Sequence, residues 1–225
     1  MSGRAQRLGA LDAGALLPPR RSAGGPAAGA QVAVRDSLEL GDGLLLVVVT
    51  DAQGLLVAPV VVSSDRDLRR AEPGDGAFVR LLARLAAGGA EGRFSFEPTE
   101  PVGRVPAGAG ERAIDVDQSN ESVVVGEQVV VKLYPRTGGA AAADAGLPGR
   151  LSAAGFTSIP TPLGAVSWQD DDDRGWVLAT ASAYLPDARD GWEWYLSRLL
   201  TWLDGARAPA GDDETPAGDD QIVTE

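Results

Sequence analysis

The chain has 225 residues, 44% of them hydrophobic, enough to bury a real core as one domain or two small ones. It sets 20 Lys+Arg against 32 Asp+Glu, a formal charge of −12, which argues against a nucleic-acid or anionic-membrane partner. It has no cysteine and no histidine, which excludes disulfides, thiolate chemistry, a Ser-His-Asp triad and the commonest metal ligand.

Residues 1–30 are rich in Gly, Ala, Pro and Arg and read as a flexible segment, with a short helix within Leu8–Leu17. Gly9, Asp12 and Gly14 interrupt that stretch, so it is too short for a membrane span and a poor signal peptide; the expected location is the cytoplasm. Residues 31–97 read as a small α+β unit. A short strand at Gln31–Val34 precedes two apolar runs, Leu44–Thr50 and Leu55–Val62, around the turn residues Asp51-Ala-Gln-Gly54. The runs are nearly continuous, so both faces of this hairpin should be covered, and Pro59 should lie at an edge or bulge. Asp75 is placed to cap a helix over 76–87, where Phe78, Leu81, Leu82 and Leu85 make one stripe. Arg93–Glu97 alternates as a further strand, and residues 98–110, with three prolines, read as a linker.

The second half begins with an alternating strand at Ala113–Asp117, the polar loop Gln118-Ser-Asn-Glu-Ser122, and two valine-rich strands, Val123–Val125 and Val129–Tyr134. Gly126-Glu127 supplies a hairpin turn. A helix is expected to start near Pro148 and to end at Gly155, followed by strands at Ala165–Trp168 and Trp176–Thr180. Between these strands, Asp170–Asp173 reads as a solvated turn rather than a cation site. Asp190 should cap a helix over Trp192–Leu203 that Gly205 ends, and residues 206–225 read as a disordered acidic tail.

Lys132, in the third strand of this half, is the only lysine; the other 19 basic residues are arginine. A lone ammonium in an apolar run is costly unless something meets it, and a compact point charge is not equivalent to a guanidinium. A snorkelling lysine at a strand edge would also account for it. The order strand, polar loop, strand, lysine-bearing strand suits nucleotide phosphates: loop N–H groups and the hydroxyls of Ser119 and Ser122 can take phosphate oxygens while Lys132 supplies the charge. No Walker sequence and no Gly-rich kinase loop is present.

The stretch Asp117-Gln-Ser-Asn-Glu-Ser-Val-Val-Val-Gly-Glu-Gln-Val-Val-Val-Lys132 closely resembles the N-lobe of the actinobacterial maltokinase and glucosamine kinase group, within the aminoglycoside-phosphotransferase-like kinases. Ala154-Gly-Phe156 with Pro160, Pro162 and Gly164 continues the likeness, as does Tyr184-Leu-Pro-Asp-Ala-Arg-Asp-Gly-Trp-Glu-Trp194. Glucosamine kinases are the nearer of the two. The resemblance implies an α+β fold: a cap subdomain over 31–97, a linker over 98–110, and a kinase N-lobe over 111–205 with an antiparallel sheet of about five strands. It implies ATP as the nucleotide. Gln118, Ser119, Asn120, Glu121 and Ser122 would cover its phosphates, Lys132 would bind the α/β-phosphates, and Ser182, Ala183 and Tyr184 would lie in the hinge that pairs with adenine.

Two departures qualify the likeness. Maltokinases place a glutamate in the next helix to pair with the lysine; here Gly146 falls at that position, and Asp144 is the nearest acid. The family's catalytic aspartate lies in a His-Gly-Asp loop of a C-lobe, with Mg²⁺ ligands in a later Asp-Phe element, and neither occurs in these 225 residues. The expected entity is therefore the ATP-binding part of a sugar kinase acting on glucosamine or a maltose-like sugar. Catalytic and Mg²⁺-binding residues would belong to the missing C-lobe. The alternatives are a non-catalytic interaction module and a decayed product. In either of the first two cases Trp192, Tyr195, Leu196, Leu199 and Leu203 form an apolar helix face that could meet a C-lobe chain or a second copy.

Overall fold

The computed structural model describes residues 12–18, 32–63, 68–101, 108–114, 120–137, 146–188 and 191–207. The chain divides into two units, Met1–Leu185 and Pro186–Glu225. The first is α+β with two antiparallel sheets. Its elements in order are α1 (Ala13–Leu16), β1 (Ala33–Gly41), β2 (Leu44–Asp51), β3 (Gly54–Val62), β4 (Leu68–Arg70), α2 (Ala77–Ala87), β5 (Gly89–Glu91) and β6 (Phe94–Pro98). They continue with β7 (Glu111–Ala113), β8 (Glu121–Val125), β9 (Val129–Leu133), β10 (Arg136–Thr137), α3 (Leu147–Ala153), β11 (Pro162–Gln169) and β12 (Gly175–Ala183). The second unit contains α4 (Gly191–Arg207).

The continuous apolar runs of β2 and β3 are explained by two cores. Leu44, Leu46 and Val48 face a large cluster shared with α2 and the second sheet, while Leu45, Val47 and Val49 face a smaller one closed by Ala13, Leu16 and Val32. Both faces are covered, as the sequence predicts, and α1 is part of the second cover. Ala52-Gln53 turn the hairpin, with Asp51 Oδ1 accepting from the Gln53 N–H at 2.8 Å. Pro59 lies at a break in the outer edge of β3, between the residues that pair with β10 and those that pair with β4. Its missing N–H leaves no gap in the ladder there, and its carbonyl accepts from Ala71 N at 2.8 Å.

The first sheet runs β1-β2-β3-β10 with β4 also on β3; the second runs β5-β6-β11-β12-β9-β8-β7. The five strands expected for the lobe are contiguous in the second sheet, and β5 and β6 extend it to seven. Sheet membership therefore does not follow the division at the linker. β6 lies beside β11 with β5 on its far edge, and β10, three residues after the lysine strand, returns to β3. Gly164 permits the β6–β11 junction: its φ is +146°, and a Cβ there would sit 2.5 Å from the Glu97 carbonyl oxygen.

Several boundaries differ from expectation for identifiable reasons. β1 extends to Gly41 because Leu38 and Leu40 alternate into the core, beyond a bulge that the polar Arg35-Asp36 concealed. β4, β5 and β10 are two or three residues long and carry little periodic signal. The β8–β9 loop holds three residues between paired Val125 and Val129, with Gly126 and Glu127 both at positive φ and Gln128 N–H closing onto the Val125 carbonyl. In α4, Gly205 lies within the helix rather than ending it, a glycine tolerated at a cost of about 1 kcal/mol. Asp190 and the tail beyond Arg207 lie outside the described residues.

Asp75 does not cap α2. The N-cap is Gly76, without a side-chain acceptor. The acceptor comes from β7 instead: Glu111 takes the N–H groups of Gly74 at 2.8 Å, Gly76 at 3.1 Å and Val79 at 2.8 Å. A carboxylate there satisfies orphan amides and complements the helix dipole. Asp75 is engaged by Arg69 and by the Glu72 N–H. Glu111→Ala is expected to lower the unfolding free energy by about 1–2 kcal/mol, and Asp75→Ala by less, as read from urea denaturation midpoints.

Candidate functional site

β9 alternates. Val129, Val131 and Leu133 point into the large core, and Val130 and Lys132 occupy the opposite face, both half-buried. The register fixes the neighbours of Lys132: Ser122 lies opposite it on β8 and Thr180 on β12. Directly opposed residues share a face, so Ser122, Lys132 and Thr180 form a polar row across three strands on the side away from the core. Ser122 is only 6% exposed, and the Tyr134 hydroxyl lies 3.2 Å from Thr180 Oγ1 beside the row. None of the ion pairs between described residues involves Lys132. A half-buried ammonium beside hydroxyls, paired with no carboxylate among the described residues, is an arrangement suited to an anionic ligand.

Of the predicted phosphate loop, Gln118 and Ser119 lie outside the described residues, as does Asp144. Asn120 is half-buried in a bend just before β8. Glu121 opens β8 and, by the same alternation, points to the core side with Val123 and Val125. There its carboxylate meets the Arg70 guanidinium of β4, in a pair whose side chains are 10% and 9% exposed. Burial pushes the Glu121 carboxyl up, the neighbouring charge of Glu111 adds to that, and Arg70 opposes both. The Glu121 side chain is thus turned away from Lys132, and Ser122 is the predicted loop residue that the register places opposite the ammonium.

Ser182 is on the Lys132 side of β12, paired with Val130. The N–H of Ala183 donates to the Thr161 carbonyl at 2.9 Å, and that of Tyr184 to the Gln128 carbonyl at 2.8 Å. Neither amide is left for a ligand. Tyr184 is held further by Arg112 of β7, which donates to its hydroxyl at 2.9 Å and lies 5.3 Å from its ring centre. Glu127 in the β8–β9 loop takes the same guanidinium at 2.6 and 2.8 Å. Arg112 carried no signal in the sequence, since its partners lie 15 and 72 residues away.

Just past the lysine strand, Pro135 O accepts from Val57 N at 2.9 Å. Arg136 then meets Asp51 in the β2–β3 turn through two bonds of 2.8 and 2.5 Å. Asp51 is 2% exposed and Arg136 20%. The strand that carries Lys132 is thereby tied to both sheets within four residues. The acidic run after β11 is occupied by its own surroundings. Asp170 accepts from the N–H groups of Asp172 and Arg174, each at 2.9 Å, and Asp171 pairs with Arg35 and Arg93.

No family model matches the chain. Among curated proteins it is similar to the glucosamine kinase of Streptacidiphilus jiangxiensis, 37% identical over 183 residues, which is 77% of this chain and 41% of that protein. It is equally similar to the glucosamine kinase of Mycolicibacterium smegmatis (strain ATCC 700084 / mc(2)155), 37% identical over 78% of this chain and 43% of that protein. Among solved structures it resembles a glucosamine kinase in complex with glucosamine, ADP and inorganic phosphate, at 30% identity and a TM-score of 0.66, over 89% of this chain and 45% of that one. A second crystal form of a glucosamine kinase matches at the same identity and TM-score over 91% of this chain and 46% of that one. The chain thus spans less than half the length of the relatives it matches.

The Asp51–Arg136 pair makes the anchoring of the lysine strand testable. Hydrogen bonds from Arg136 hold the Asp51 carboxyl below its ordinary value. A depressed folded-state pKa contributes stability that is present above the unfolded value and is lost as the pH falls through the folded one. Arg136→Met is expected to cost about 3 kcal/mol at pH 7, because it strands a buried carboxylate. The gap between variant and parent should narrow as the pH falls below the ordinary carboxylate range and through the depressed value of the parent's Asp51, which denaturation curves at a series of pH values will read.

Proposed function

We propose that this chain is the nucleotide-holding part of a sugar kinase of the glucosamine kinase type. The observation that carries the reading is Lys132. It is the only lysine in the sequence, it stands between Ser122 and Thr180 on the face of a seven-stranded sheet away from the large core, and it is unpaired with any carboxylate among the described residues. The similarity to a glucosamine kinase solved with ADP, glucosamine and inorganic phosphate supports the choice of ligand. In this reading residues 31–97 are the cap, residues 111–205 the nucleotide-binding lobe, and ATP the phosphoryl donor.

Phosphoryl transfer demands positioning and charge neutralisation more than covalent chemistry from the protein. Lys132 supplies charge to the α/β-phosphates, and Ser122 and Thr180 supply hydroxyls on either side of it. The base for the sugar hydroxyl and the Mg²⁺ ligands are assigned to a second lobe beyond these residues. Among the described residues no group of three or more Asp, Glu, His or Cys is arranged to hold a metal ion. Glucosamine is the acceptor that the relatives favour; a maltose-like sugar is the second possibility. A cytoplasmic location belongs to the same reading, and no helix among the described residues is long and apolar enough to cross a membrane.

The test is ADP titration of the purified chain by calorimetry. Removing one charge-assisted contact costs about 1.5–3 kcal/mol, so Lys132→Ala should weaken ADP by roughly 10- to 100-fold with an unchanged circular dichroism spectrum. Equal affinity for parent and variant would remove the lysine from the reading. Concentration-dependent self-association without ADP binding would favour the interaction module instead. The chain alone is expected to transfer no phosphoryl group to glucosamine in a coupled assay.

A further inference from the structure

The lobe places a carboxylate one residue away from its candidate phosphate site. Glu121 precedes Ser122, and Ser122 is the cross-strand neighbour of Lys132. A carboxylate so close is a natural partner for the ammonium and a competitor for any phosphate. Alternation alone directs it to the other face, yet Glu121 is the first residue of β8 and pairs with the last residue of β9, so no further rung of that ladder lies beyond it. Something has to hold it on the core side.

Arg70 does so. It reaches the Glu121 carboxylate from β4, and its own head group is fixed by the Leu16 carbonyl at 3.1 Å and the Ala71 carbonyl at 3.2 Å. The guanidinium is therefore anchored to α1 and β4 before it meets Glu121. The other ionised group that bears on Glu121 is Glu111, whose oxygens are taken by the amides at the start of α2. Glu111 repels Glu121, so Arg70 is the attractive charge on that side.

We propose that Arg70 is a positioning residue for anion binding at Lys132: by pairing with Glu121 behind β8 it keeps that carboxylate from occupying the lysine. This rests on the reading that Lys132 holds nucleotide phosphates. Arg70 touches no ligand. It acts by excluding an internal competitor, and the cost of its loss depends on the presence of Glu121.

The test uses the full chain, ADP calorimetry and circular dichroism on four proteins: parent, Arg70→Gln, Glu121→Gln and the double variant. If Glu121 occupies Lys132 most of the time once Arg70 is gone, apparent ADP affinity falls roughly tenfold in Arg70→Gln, in proportion to the competent fraction. Glu121→Gln alone should bind ADP within about twofold of the parent, and the double variant should recover to the same level, because no competitor remains. A merely structural pair would change melting temperature without this pattern in affinity. Parent-like affinity in Arg70→Gln overturns the proposal, and so does an affinity loss in Glu121→Gln as large as that in Arg70→Gln. Should Arg70→Gln lose its fold, the double variant decides alone: parent-like ADP binding supports the proposal and a tenfold loss defeats it. Failure of the underlying reading shows separately, as a parent that does not bind ADP or is indifferent to Lys132→Ala.

Discussion

Alternation along β8 and β9 is the constraint on which the rest of the lobe depends. Five apolar side chains of these two strands, Val123, Val125, Val129, Val131 and Leu133, must enter the core. Their burial, worth about 1.5–3 kcal/mol for each fully buried side chain, fixes the register. A slip of one residue would move them all out of the large core and carry Lys132 into it. The position of the ammonium follows from valines that never touch a ligand. The same alternation sends Glu121 backward to Arg70 and Ser122 forward to Lys132.

The two sheets behave as one packing unit because short connections cross between them. β10 leaves the lysine strand and joins β3, Trp168 of β11 donates from Nε1 to Asp36 of β1 at 3.0 Å, and Glu111 of β7 caps α2. Each contact places a polar group of one half against the other. Buried polar atoms require partners, and these pairs satisfy them across the halves. A cap and a lobe can be named separately in such a chain, but their strands share sheets.

Much of this was legible in the sequence. The central strands are legible because runs such as Leu44–Thr50 and Val129–Tyr134 are long and strongly apolar, and α2 because its stripe is regular. The single lysine stands out as the candidate because every other basic residue is arginine. Other features left no local trace. β4, β5 and β10 are too short to show a period. The cap on α2 comes from Glu111, 32 residues from Val79 in sequence, and Arg70 sits 51 residues from Glu121. Asp75 stood where a capping residue should stand, and a distant carboxylate with better geometry took the amides. Local rules rank candidates well, but they cannot see a competitor that folding brings in from elsewhere.

In the proposed function, phosphates of a nucleotide lie against Lys132. The chain's single lysine makes a direct measurement possible, since an acyl-phosphate derivative of ADP transfers its acyl group to an amine held at the phosphate. Mass spectrometry of the digested protein should find the adduct on the peptide containing Lys132, and excess ADP should suppress it. Labelling confined to the N-terminal amine, or labelling of Lys132 indifferent to ADP, would contradict the account.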